Sequence, residues 1–93
     1  MRAVDLAIYA DALAGEAAAL AARVERARCR LTESAIDREA RDDLPRNVVD
    51  RLERLGLLRP ADESRLSSEL RRLEADLEAL ELLQAWVESR LAA

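Results

Sequence analysis

The stretch RLSSELRRLEADLEALELLQAWVESRL, from Arg65 to Leu91, decides the fold. Its residues Leu66, Leu70, Leu73, Leu77, Leu80, Gln84, Val87 and Leu91 are separated alternately by four and three, and only Gln84 is polar. That spacing is the inner seam of a helix packed along another helix. A helix is expected over about 62–91. Arg59-Pro60-Ala61-Asp62-Glu63 turns the chain ahead of it and places acids at its positive end.

The same alternation runs through the first third of the chain. Ala3, Leu6, Ala10, Leu13, Ala17, Leu20, Val24, Ala27 and Leu31 form the second seam, and a helix is expected over about 3–41. Gly15 lies outside the seam, where it costs about 1 kcal/mol relative to Ala without ending so long a helix. Beyond Leu31 the apolar residues Ala35, Ile36, Ala40 and Leu44 slip out of register. Thr32 or Ser34 offers a cap for a new helix, with Asp37 three residues after Ser34. No Gly or Pro intervenes before Asp42-Asp43-Leu44-Pro45, so a continuous helix is the favoured reading.

Between these arms a short helix is expected over about 45–55. Pro45 suits its first turn, Val48, Val49, Leu52 and Leu55 form its apolar stripe, and Gly56 follows as terminator. Leu57 and Leu58 are then expected to drop onto the core. In this arrangement the short helix covers Leu31, Ile36, Leu66 and Leu70.

Two long amphipathic helices joined by a short connection return antiparallel. Setting Leu31 opposite Leu66 places Val24 on Leu73, Ala17 on Leu80 and Ala10 on Val87, small against large. The flanking positions then bring Arg30 to Glu69, Arg23 to Asp76 and Tyr9 to Arg90. Such exposed pairs add little stability, but they disfavour other registers. The fold class read from the sequence is therefore all-α: a coiled-coil-like antiparallel hairpin of two long helices with a short middle helix, the whole chain 1–93 forming one domain. Apolar residues outside the seam, namely Val4, Ala7, Ile8, Ala14 and Ala18 on the first helix and Leu82, Leu83 and Trp86 on the third, are left uncovered. Dimerisation into a four-helix bundle would bury them, with Trp86 as anchor.

Composition sets the limits on function. Nineteen Ala and seventeen Leu stand against five Val, two Ile and no Phe, which disfavours a sheet. All 15 basic residues are Arg, so chemistry requiring a lysine amine is excluded. The absence of His removes the usual general base and the commonest metal ligand. Cys29 stands alone, with no disulfide partner and no zinc cluster. No catalytic, cofactor or metal site is expected, and the chain is read as a non-enzyme. An unstapled small domain without a signal peptide or membrane span suits the cytoplasm.

The expected activity is association: a homodimeric interaction, scaffold or regulatory module that binds itself or a different protein. The alternative is a nucleic-acid accessory protein using Arg23, Arg26, Arg28, Arg30, Arg71 and Arg72 as an anionic-partner patch. A net charge of -4 gives no general attraction to phosphate, which weighs against that alternative.

Overall fold

The computed structural model describes residues 2–93, and these form three α-helices: α1 (Ala3–Asp43), α2 (Arg46–Arg54) and α3 (Glu63–Ala92). α1 and α3 are the arms of an antiparallel helical hairpin, and α2 lies in the connection. No strand occurs among the described residues.

α1 runs unbroken past Thr32 and Ser34, because nothing between Gly15 and Pro45 removes a backbone donor or frees a φ angle. It stops two residues before Pro45, whose ring disfavours helical geometry at Leu44. Pro45 is itself the N-cap of α2 rather than its first helical residue, with φ -58° and ψ 146°. Its carbonyl accepts from the N–H groups of Val48 and Val49. α2 ends in the hydrogen-bond pattern expected around Gly56: the Gly56 N–H donates to Glu53 and the Leu57 N–H to Leu52. Gly56 has φ +74°, a conformation that carries no Cβ penalty for glycine alone. Asp62 caps α3 by accepting from the Arg65 N–H through Oδ1 at 3.2 Å.

Contacts divide the chain into two units. The first contains the residues up to Glu25 together with Arg71–Ala93, and the second is Arg26–Leu70. In the first unit, Leu6, Leu13 and Val87 form a buried cluster with Ala10 and Leu80 against it. Val24 and Leu73 are also buried there. These residues belong to the two seams, and Ala10 shares the cluster of Val87 as the antiparallel register requires. In the second unit, Arg30 donates to Glu69 at 3.5 Å, which is the pair expected from the same register.

Several expectations are corrected. The inward residues of α1 beyond Leu31 are the polar Ser34 and Asp37, both buried, rather than a displaced apolar stripe. Ser34 is thus a mid-helix residue and caps nothing. Ile36, expected beneath α2, is 60% exposed, because it faces away from the side that Ser34 and Asp37 bury. Within α2 only Val49 is buried, and Leu55 beyond its end is exposed. Leu57 does not reach the core either, at 69% exposed, while Leu58 is half-buried. Arg90 lies over the ring of Trp86, 5.1 Å from its centre.

Candidate functional site

The first unit carries a surface that its own fold leaves open. Val4, Ile8, Tyr9, Leu82, Leu83, Trp86 and Leu91 are all exposed large apolar residues. Leu82 is 67% and Trp86 46% exposed, whereas the seam residue Val87 beside them is 1% exposed. Ala7, Ala14 and Ala18 are exposed as well. Every residue assigned from sequence to the dimer interface is therefore accessible.

These residues do not make one strip. With Leu6, Ala10, Leu13 and Ala17 on the seam of α1, its positions Val4, Ala7, Ala14 and Ala18 lie on one flank and Tyr9 on the other. With Leu73, Leu77, Leu80, Gln84 and Val87 on the seam of α3, Leu83 and Trp86 share the flank of Tyr9. Antiparallel helices bring like flanks together, so α1's alanine strip and α3's Trp86 surface are on opposite sides of the hairpin. Ile8 and Leu82 point away from the seam on their respective helices. Tyr9 was missed in the sequence reading, although its position one residue before Ala10 contained the signal.

The second unit contains a polar network that sequence reasoning also missed. Arg41 donates from Nε to Oδ1 of Asp37, one turn earlier on α1. From Nη1 it donates to Oε1 of Glu53 on α2 at 2.6 Å. The hydrogen bond to Asp37, followed by that to Glu53, raises the guanidinium pKa above its already high ordinary value. Arg38 pairs with Glu63 at the start of α3. The spacing of Asp37 and Arg41, four apart on a helix, was the available sign of this network.

The arginines of the anionic-partner patch fall in both units. Arg23, Arg71 and Arg72 are exposed residues of the first, and Arg26, Arg28 and Arg30 of the second. Arg30 is occupied by Glu69, and Arg28 is also engaged. Cys29 is exposed and free. Among the described residues no group of three or more His, Cys, Asp or Glu could hold a metal ion, and no helix is long and apolar enough to cross a membrane.

No known protein family, curated protein or solved structure matches the chain. What the fold defines is a small all-helical protein. Its accessible features are an apolar flank and a polar-seamed second unit.

Proposed function

We propose that the protein acts by association, as a homodimeric interaction or scaffold module assembled through α3. The observation that carries this reading is the surface left uncovered. On α3 of the first unit Leu82, Leu83 and Trp86 are exposed beside the buried Val87, an apolar group of the kind that marks an interaction site.

The α3 flank supports a particular pairing. Along that flank and the adjoining outer face of α3, Ala75 and Ala79 precede Leu82, Leu83 and Trp86. Two copies of α3 crossing antiparallel about a two-fold axis near residue 80 would set Ala75 opposite the partner's Trp86 and Ala79 opposite the partner's Leu82. Small residues then face large ones in both directions, as a self-complementary interface requires. Ala7, Ala14 and Ala18 lie on the other flank and take no part.

Sedimentation equilibrium at micromolar concentration tests the proposal. The expected result is a species of twice the 10.4 kDa chain mass. A folded monomer that persists across the concentration range overturns it.

A further inference from the structure

In the second unit α2 and its connection to α3 are held against α1 by little apolar burial. Among the described residues Ala27 and Val49 are its only buried hydrophobic side chains, whereas the first unit buries three leucines and two valines. Space remains beneath the connection, in two open depressions of about 610 and 530 Å³ that share Ser34, Asp37 and Ala61. Packing this loose forfeits the dispersion contacts of a close-packed core.

Ion pairs bridge the gap. Arg41 on α1 reaches Glu53 on α2 at 2.6 Å, and Arg38 pairs with Glu63 where α3 begins. Arg41 is held by Asp37 as well, so these charges act as a network rather than an isolated pair. The side chains of Glu53 and Glu63 are 41% and 35% exposed, so both bridges are within reach of salt. Screening sets in over about 10 Å at 0.1 M ionic strength and about 3 Å at 1 M.

The closed arrangement also carries a penalty. Asp37 Oδ2 and Arg41 Nη2 are buried without a hydrogen-bond partner. Leaving such atoms unpaired is costly, and water satisfies both once α2 moves off them. The backbone allows that movement at both ends of α2. Pro45 separates it from α1, and residues 57–62 beyond Gly56 are not helical. α2 can therefore leave without unwinding α1 or α3. Its nine residues are too few for a stable helix alone, so it loses its hydrogen bonds when it detaches.

We infer that residues 44–62 form an electrostatic strap, latched on α1 by Arg41–Glu53 and Arg38–Glu63. Rising ionic strength releases the strap as a unit, while the first unit stays folded. Release opens the Ser34 and Asp37 side of α1 to solvent. None of the latch residues belongs to the α3 flank, so the strap operates whether or not the chain dimerises.

The test is amide hydrogen exchange of the full chain, followed by NMR at one pH in 0.05 M and 1 M NaCl. Protection at the Leu52 and Leu55 amides should fall about tenfold at the higher salt relative to that at Leu13 and Val87. Glu53→Gln combined with Glu63→Gln keeps side-chain size and removes both charges. At low salt the double variant should already show the protection that the wild type shows at high salt, and more salt should change it no further. Salt-insensitive protection at Leu52 and Leu55 in the wild type overturns the proposal. So does protection that falls in step at all four amides, since the chain then opens as one body. A double variant that retains the wild-type salt response shows that these pairs are not the latch. One that loses protection at Leu13 and Val87 too shows that the charges support the whole chain rather than a strap, and also overturns it.

Discussion

Arg41 and Glu53 are joined Nη1 to Oε1 at 2.6 Å, and this contact ties the end of α1 to α2. The junction was expected to be apolar, yet Val49 is the one buried residue of α2. Charge and hydrogen bonding take over where the leucine seam stops. A cation whose pKa is raised in the folded state stabilises the fold below its unfolded pKa, and that contribution is lost only as pH rises through the folded value. For Arg41 this window lies at extreme alkaline pH. The contact therefore adds no pH dependence to stability near neutrality.

Replacing the inward polar residues of α1 should show what the Asp37–Arg41 pair contributes to stability. Asp37→Leu alone removes the main partner of Arg41 and should lower Tm by about 5 °C or more. Asp37→Leu combined with Arg41→Leu removes both charges and continues the apolar seam, so Tm should return to the wild-type value or exceed it by about 5 °C. Thermal denaturation of the three proteins checks the order, and a double variant less stable than the single one would refute it.

The two glycines should respond to alanine with opposite signs. Gly15 lies within α1 and a Cβ there meets nothing within 4 Å. Gly15→Ala should stabilise the chain by about 0.5–1 kcal/mol, through helix propensity and a less flexible unfolded state. Gly56 has equally open space, but its φ of +74° strains any residue with a Cβ. Gly56→Ala should destabilise by about 1 kcal/mol. Urea unfolding of both variants resolves the sign, and stabilisation by Gly56→Ala would contradict the backbone argument.

The helical class was legible because Leu66 to Leu91 repeats one spacing for its whole length, and Gly56 was legible because helix termination has few chemical solutions. The second unit was harder for a physical reason. Hydrophobic periodicity reveals which side of a helix is buried only while the buried residues are apolar. At Ser34 and Asp37 the buried side becomes polar, so Ile36 and Leu57 read as core when they are surface. The division of the apolar strip was already encoded in heptad phase. Tyr9 and Trp86 occupy one flank and Ala7 and Ala14 the other, a distinction that a count of apolar residues does not make.

Leu13 and Leu82 are chemically identical residues in opposite situations within the first unit. Leu13 belongs to the buried cluster with Leu6 and Val87. Leu13→Ala should cost about 2–5 kcal/mol of folding stability at any protein concentration. Leu82 is exposed. Leu82→Ala should leave the fold unchanged and weaken self-association. Chemical denaturation at two protein concentrations distinguishes them, because only an effect on association changes with concentration. An equal loss for both variants at both concentrations would place Leu82 in the intrachain core, against its exposure.

Trp86 tests the association reading most directly. Within one chain the indole is half exposed and its recorded partner is Arg90, 5.1 Å from the ring centre. Truncating it should therefore alter the isolated fold only slightly. If α3 meets its copy as proposed, Trp86 is the largest side chain buried there, and Trp86→Ala should weaken dimerisation by about 30-fold or more, the 2 kcal/mol of an interface anchor. Arg90→Ala should cost about 0.5–1 kcal/mol, because it removes a solvent-exposed cation–π contact and leaves the ring in place. Ala75→Trp should be as damaging as Trp86→Ala, since Ala75 is the position that receives the indole of the second copy and two large rings would then collide. The measurement is molar mass by light scattering, with Tm recorded across a range of concentrations. A dimer's Tm rises with concentration, and both disruptive variants should flatten that rise. A Trp86→Ala protein with unchanged mass and an unchanged slope of Tm against concentration would remove the indole from the interface. Ala75→Trp remaining dimeric would rule out the antiparallel crossing near residue 80.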